Sequence, residues 1–282
     1  MTDWLHVARG TAPLIVSVPH AGTAIPDELI PRLNGSWLGK RDADWWIDRL
    51  YGFAASMGAT LIRTDMSRTV IDMNRDPSGA SLYPGQATTG LCPVDTFDGD
   101  PLWRDGEAPD AAEVERRRAA YFDPYQAAIR AEIDRLRAVH PAIVLYDAHS
   151  IRSQVPRLFE GELPIFNIGT DGGRTCAPAL QSAVEQACAA TGLSMISNGR
   201  FRGGWITRHY GWPHDGVHAI QMELAMRGYL REPEGASTPD NWPVAYDEDF
   251  AEPMRAHLHR VLKACLNFAS SPVATSPPVR PE

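Results

Sequence analysis

Short apolar runs without regular polar alternation constrain the fold of this chain more than any other feature. They occupy residues 14–18, 142–146, 163–168 and 217–222, with shorter candidates at 59–63 and 69–72. Strands that are apolar on both faces are typical of a mainly parallel sheet that helices cover on both sides. These runs therefore predict the buried strands of such a sheet.

Helical periodicity occupies the intervals between these runs. Tyr125, Ile129, Ile133 and Leu136 recur at the spacing of one helix face, and Pro124 either starts that helix or separates it from an earlier one. Further helices are predicted at 44–57, 176–190 and 250–268. Strands that alternate with helices in this way indicate an α/β protein.

The expected architecture is a single α/β domain over residues 1–270, with a mixed, mostly parallel central sheet flanked by helices. The Pro-rich stretch 271–282 is predicted to be a flexible tail. Two further stretches, 76–110 and 199–216, are rich in turn-forming residues and are predicted to be irregular. Long ordered loops of this kind often cover functional sites.

The composition limits the classes of partner. The chain has 282 residues and a formal net charge of −8, and it lacks the concentrated basic face that nucleic-acid binding requires. None of its four cysteines has a metal-binding spacing, its first residues do not resemble a signal peptide, and no apolar run could span a bilayer. We therefore expect a cytoplasmic protein with neither a nucleic-acid nor a membrane partner. The oligomeric state is left open.

Two histidines mark a candidate metal site. His20 and His149 each follow a predicted core strand, and α/β proteins bind ligands at the carboxyl ends of such strands. Catalytic zinc usually has three protein ligands and one open position. The third ligand comes from Asp42 or Asp44, of which we favour Asp44 as the ligand and Asp42 as a helix cap. Asp147 is placed to orient a ligating imidazole.

Glu223 follows the predicted strand at 217–222, so it reaches the same edge of the sheet as the histidines. Beside a metal-activated water it would act as a general base and then protonate the leaving amine. Neither a GxSxG elbow nor a dinucleotide-binding GxGxxG follows any strand, which argues against a serine hydrolase and a nucleotide enzyme.

Arginines within irregular segments form the candidate anion sites. Arg75 ends the segment SRTVIDMNR, and Arg202 and Arg208 lie in the Gly-rich segment 199–211. Arginine binds carboxylates bidentately, and glycine lets the backbone approach a ligand. Structural ion pairs are the alternative role for these arginines. Whether Arg202 or His209 contacts substrate stays open at this level. His218 could transfer protons or belong to the core, and we favour the core.

Five segments in order together resemble the N-formylglutamate amidohydrolase family. They are SVPHAGT from residue 17, DADW from 42, SRTVIDMNR from 67, YDAHS from 146, and GGWITRHYG from 203 with QME at 221–223. They extend from the first strand to the last quarter of the chain. Each is weak alone, whereas five in the same order are specific.

The resemblance implies a fold similar to the zinc carboxypeptidase, or phosphorylase/hydrolase-like, fold and one divalent metal, zinc. By position, His20 and His149 match the ligand histidines and Glu223 matches the catalytic glutamate. Asn74 and Arg75 match the pair that binds a substrate carboxylate, and Arg208 is expected to face the other carboxylate. Thr23 stands where the carboxypeptidase pattern has a ligating glutamate, which is why the third ligand is sought at Asp44.

The implied reaction is hydrolysis of N-formyl-L-glutamate to glutamate and formate, as in histidine degradation. A small dicarboxylate substrate suits an acidic protein that has separate arginine sites. Two alternatives remain. The chain could hydrolyse another N-acyl amino acid or small peptide, or it could be a binding protein for acidic amino acids that lacks catalysis.

Overall fold

One mixed sheet organises the molecule in the computed structural model, which describes residues 3–81, 85 and 88–275. The strands within this part of the chain are β1 (Leu5–Ala8), β2 (Leu14–Val18), β3 (Thr60–Thr64), β4 (Ile143–Ile151), β5 (Phe166–Gly169), β6 (Met195–Ser197) and β7 (Val217–Ala225). Their order across the sheet is β1-β3-β2-β4-β7-β5-β6. The four central strands are parallel, and β1 and β5 each pair antiparallel with a neighbour. The predicted mixed, mostly parallel sheet is confirmed.

Helices cover both faces of this sheet. They are α1 (Leu38–Arg41), α2 (Ile47–Leu50), α3 (Ala111–Arg117), α4 (Asp123–Arg137), α5 (Pro178–Ala189), α6 (Trp205–Tyr210) and α7 (Glu248–Ala269). A π-helical segment, Arg118–Phe122, joins α3 to α4. One apolar core contains α2, α5 and α7, and a second contains α4 and α6. None of the helices in the described part is both long and apolar enough to cross a membrane.

Alternation along the central strands divides their side chains between the two cores. Leu14, Val16 and Val18 of β2 belong to the core that contains α5 and α7, whereas Ile15 belongs to the core that contains α4. All five residues of β2 are buried. The absence of polar alternation in the sequence therefore reflects a strand that packs on both faces.

Two central strands are longer than predicted. β4 and β7 each have nine residues, all of them buried, and their register pairs His149 with Glu223. Both functional candidates thus lie inside strands rather than after them. Polar side chains here do not end the strand because the neighbouring strand supplies backbone partners.

Three local predictions were wrong in detail. The helix expected at 44–57 is interrupted, because Trp46 has a left-handed backbone with φ of 63° and only Ile47–Leu50 is α-helical. The strand expected at 69–72 is a turn that begins at Ser67. Within the irregular stretch 199–216, residues Trp205–Tyr210 form α6. β1 and β6 were not predicted.

The predicted tail begins inside a packed segment. Residues Pro272–Thr275 form a 3-10 turn in which Ala274 is buried, and the Ala274 carbonyl lies 3.0 Å from His218 Nε2. The remainder of the predicted tail, 276–282, lies outside the described residues. His218 is buried, as the favoured core prediction has it.

Candidate metal centre and substrate cavity

His20, Asp44 and His149 converge at one edge of the sheet. His20 follows β2, Asp44 precedes α2 and His149 lies in β4; all three are buried. His149 Nδ1 lies 3.2 Å from His20 Nδ1 and 3.3 Å from Asp44 Oδ2, and His20 Nδ1 lies 3.9 Å from that oxygen. Two imidazole nitrogens and one carboxylate oxygen therefore face a common point, and this group could hold a metal.

In each imidazole, the nitrogen that points away from the cluster, Nε2, lies beside a carboxylate. His20 Nε2 lies 2.7 Å from Asp72 Oδ1, and His149 Nε2 lies 2.9 Å from Asp147 Oδ2. An Nε2–H that donates to a carboxylate leaves the Nδ1 lone pair directed to the centre, which is the arrangement of histidines that bind metals. Burial opposes a charged His149, but the charge of Asp147 and hydrogen bonds to Asp147 and Asp44 hold its pKa well above the ordinary value.

Asp44 also fits a cation at this point. Its Oδ2 accepts a hydrogen bond from the backbone of Ser150 at 2.9 Å, whereas its buried Oδ1 has no hydrogen-bond partner. Asp42 does not belong to the cluster. Its Oδ2 accepts from the Phe97 backbone at 2.6 Å and its Oδ1 contacts Arg152 at 3.1 Å, so the prediction that it caps the helix was wrong. A buried carboxylate fits a metal ligand when one oxygen faces two imidazoles and the other has no hydrogen bond, here only an ion pair with Arg68 Nη1 at 3.5 Å.

Glu223 lies beside this centre and lines a cavity next to it. Gln221 donates from Nε2 to Glu223 Oε2 over 3.3 Å. Burial raises the pKa of Glu223 to about 8, although the positive His149 opposes this shift. A carboxyl group with this pKa can exchange a proton near neutral pH, as a general base and acid must.

Asn74 connects the centre to α6. Its Nδ2 donates to Asp147 Oδ2 at 2.9 Å, and its Oδ1 accepts from the Ile206 backbone at 2.7 Å. The backbone of Gly204 packs directly against the same amide. The Gly-rich segment that the sequence suggested for anion binding thus also fixes the group that orients Asp147.

The cavity brings together some of the predicted substrate contacts. Asn74 and Arg75 line it, and Arg75 donates from Nε and Nη2 to the carbonyl and hydroxyl of Thr89. Arg202, Arg208 and His209 are absent from its described lining. The structure therefore places one of the predicted arginines at the cavity and leaves the other two away from it.

The three remaining residues have other surroundings. Arg208 donates from Nε to the Gly203 carbonyl at 2.8 Å, and its Nε lies 3.5 Å from Asp171. His209 stacks on Trp205 with ring centroids 4.5 Å apart. The Arg202 guanidinium lies beside Gly172.

Sequence reasoning gave no role to several residues of the lining. They include Arg157 and Gln221. Gln221 could have been found, because residues two apart on a strand share a face and Glu223 was already a candidate. Arg157 follows no core strand and has no motif around it, so no signal in the sequence indicates its place.

Known proteins resemble this chain along nearly its whole length. A family model described as N-formylglutamate amidohydrolase matches residues 12–230. A Pseudomonas putida protein named N-formylglutamate deformylase is 44% identical over 271 residues, covering 96% of this chain and 98% of that protein. A Pseudomonas aeruginosa protein of the same name is 45% identical over 267 residues, covering 94% and 97%.

Solved structures share the fold. The crystal structure of N-formylglutamate amidohydrolase from Ralstonia eutropha JMP134 has a TM-score of 0.74 at 22% identity and covers 94% of this chain and 97% of that one. The crystal structure of gene product Atu2144 from Agrobacterium tumefaciens has a TM-score of 0.67 at 19% identity, with coverage of 95% and 96%.

Proposed function

Since this chain belongs to the N-formylglutamate amidohydrolase family, we propose that it hydrolyses N-formyl-L-glutamate to L-glutamate and formate, with one divalent metal held by His20, Asp44 and His149. One observation supports the metal site in this proposal. Both imidazoles direct Nδ1 to a shared point while carboxylates hold Nε2. Two imidazoles and one carboxylate suit zinc.

The chemistry that a divalent metal would supply here is polarisation of the formyl carbonyl and activation of a water molecule. The protein supplies the proton transfers. Glu223 accepts a proton from the attacking water and delivers it to the amide nitrogen as the carbon–nitrogen bond breaks. Asp72 and Asp147 each lie within hydrogen-bond distance of Nε2, so they would hold the Nε2–H of each imidazole when Nδ1 binds a metal in place of a proton.

Substrate carboxylate binding is assigned to Asn74 and Arg75. Both line the cavity next to the histidines, and the guanidinium of Arg75 is held by Thr89. Hydrogen bonds from a guanidinium to a carboxylate are charge-assisted and directional, so they would orient the formyl group toward the metal. Arg202, Arg208 and His209 are left out of this assignment because they do not line the described cavity.

Formate release from N-formyl-L-glutamate tests the proposal. The zinc-loaded protein should release formate, chelation should abolish release and added zinc should restore it. Glu223→Gln keeps the shape of the side chain but not the base, so kcat should fall by about 10²- to 10⁴-fold. Absence of formate from zinc-loaded wild-type protein would overturn the substrate. Full activity after verified metal removal would overturn the metal.

A further inference from the structure

Gln221 is buried in the lining of the cavity, beside the general base but outside the proton transfers assigned to it. It lies two residues before Glu223 on β7, so both side chains leave the strand on the same face. The register sets Gln221 against Asp147 of β4 and Gly169 of β5. A polar side chain at this depth costs free energy unless its amide is hydrogen-bonded.

The backbone of Gly204 fixes which end of the Gln221 amide faces Glu223. The Gly204 N–H donates to Gln221 Oε1 at 2.7 Å. A backbone N–H can only donate, so the amide oxygen must take this side and the amide nitrogen must take the other. Gln221 Nε2 then donates to Glu223 Oε2 over 3.3 Å. The amide therefore has one orientation, with a donor turned toward the carboxyl group.

The segment that carries Gly204 is itself packed closely on the sheet. Gly169 of β5 has no side chain, and a Cβ there would lie 2.6 Å from the backbone nitrogen of Gly203. Next to this contact, the Asp171 backbone donates to the Arg202 carbonyl at 2.6 Å. Because the backbone approaches the strand so closely, the N–H that orients the glutamine amide has a fixed position.

The contact with Gln221 distinguishes the two oxygens of Glu223. Oε2 faces an amide N–H, so a proton placed on that oxygen would point at another hydrogen. Oε1 has no hydrogen bond to the described part of the chain, and Glu223 lines the cavity. Rotation about the last torsion of a glutamate is otherwise soft, so the contact also limits a freedom that the base would lose during reaction.

We propose that Gln221 is a positioning residue that holds Glu223 Oε2 and thereby directs Oε1 toward the attacking water and the amide nitrogen. This inference rests on the proposed function. The contact of 3.3 Å is long for N–H···O, and hydrogen bonds of catalytic groups often shorten when substrate binds. An amide does not titrate near neutral pH, so Gln221 influences proton transfer only through Glu223.

Steady-state kinetics of Gln221→Met with N-formyl-L-glutamate test the assignment. Methionine keeps the length of the side chain but cannot donate, so kcat should fall about 10- to 100-fold, as expected when a hydrogen bond to a charged group is lost. KM, zinc affinity and the Kd of L-glutamate should each stay within about threefold, because the metal ligands and Arg75 keep their contacts. Gln221→Asn keeps an amide that is one methylene group too short to reach both partners, so its kcat should fall as well.

Gln181→Met is the matched control. Gln181 accepts from Thr170 Oγ1 at 2.7 Å and donates from Nε2 to Glu185 Oε1 at 2.8 Å, so its amide also bridges a donor and a carboxylate. It lies on α5 and does not line the described cavity. This variant should keep the kcat and KM of the wild type.

An unchanged kcat in Gln221→Met would overturn the assignment. A fall in zinc or L-glutamate affinity as large as the fall in kcat would overturn it as well, since Gln221 would then support the cavity through Gly204. Crystal structures of the zinc-loaded wild type and Gln221→Met give a readout without turnover, because Glu223 should occupy one rotamer in the wild type and several in the variant. If the wild type releases no formate, the proposed reaction fails, whereas this change in Glu223 would still support the positioning role.

Discussion

Replacement of Gly204 by alanine tests whether the Gly-rich segment positions the metal centre. The backbone of Gly204 is extended, with φ of −84° and ψ of −166°, so an alanine is acceptable to the local conformation. An added Cβ would nevertheless lie 2.6 Å from both Cγ and Oδ1 of Asn74 and would also meet its Nδ2. The contact with Asn74 therefore accounts for the whole effect of the substitution.

The expected cost follows from what Asn74 holds. To relieve the contact, the amide must leave its hydrogen bonds with Asp147 and the Ile206 backbone, which measure 2.9 Å and 2.7 Å. Loss of two buried hydrogen bonds, one of them to a charged group, should lower the free energy of unfolding by roughly 2–5 kcal/mol. Release of Asp147 should also weaken zinc affinity by about 10- to 100-fold, as expected when an orienting partner of a ligand is lost.

Urea unfolding and zinc competition with a chromophoric chelator measure the two effects separately. Gly52→Ala is the matched control, because a Cβ there meets nothing within 4 Å. That variant should change the free energy of unfolding by less than about 1 kcal/mol and leave zinc affinity unchanged. If Gly204→Ala behaves like this control in both assays, the proposed coupling between α6, Asn74 and the centre is refuted.

Two further substitutions probe the supports of the site and the end of the chain. Asp72→Asn removes the carboxylate that lies 2.7 Å from His20 Nε2, so zinc affinity should fall by about 10- to 100-fold, and unchanged affinity in the same competition assay would contradict this. Burial lowers the pKa of His218, whose neutral ring accepts from the Ala177 backbone and lies 3.0 Å from the Ala274 carbonyl. Because the folded pKa is below the unfolded one, this stabilisation is present above about pH 6.5 and declines as the pH falls further. The free energy of unfolding in urea should thus fall more between pH 7.5 and pH 5.5 for the wild type than for His218→Gln. Equal decreases would contradict this role of His218.

The parts of the fold that the sequence predicted are those set by burial. A strand packed on both faces must be apolar throughout, so the cores of β2, β4 and β7 were visible as runs. The ends of β4 and β7 could not be predicted from apolar runs, because His149 and Glu223 continue these strands through backbone pairing with each other's strand. Pairing between segments that lie far apart in the sequence leaves no local pattern. A polar residue therefore does not show whether its strand continues.

The residues of the candidate site also fall into those that the sequence predicted and those that only the fold reveals. His20, His149 and Glu223 follow apolar runs, and their position alone indicated a shared edge of the sheet. Their partners come from far along the chain: Asp72 is 52 residues from His20, and Ser150, which orients Asp44, is 106 residues from it. Only the fold brings such pairs together, so the sequence could favour Asp44 over Asp42 as the ligand but could not show the contacts that distinguish them.

Asp44 shows why local rules fail at the centre. The apolar spacing after it predicts a regular helix, and a helix would have made Asp44 a residue of its first turn. Instead Trp46 adopts the left-handed conformation, which costs about 1–2 kcal/mol for a residue other than glycine. Contacts with distant segments offset this cost: the Trp46 indole donates to the Val244 carbonyl at 2.9 Å, and the Tyr229 hydroxyl donates to the Trp45 carbonyl at 2.8 Å. The backbone break thus leaves Asp44 outside α2 and facing the two histidines, in a conformation that tertiary packing stabilises and local propensity opposes.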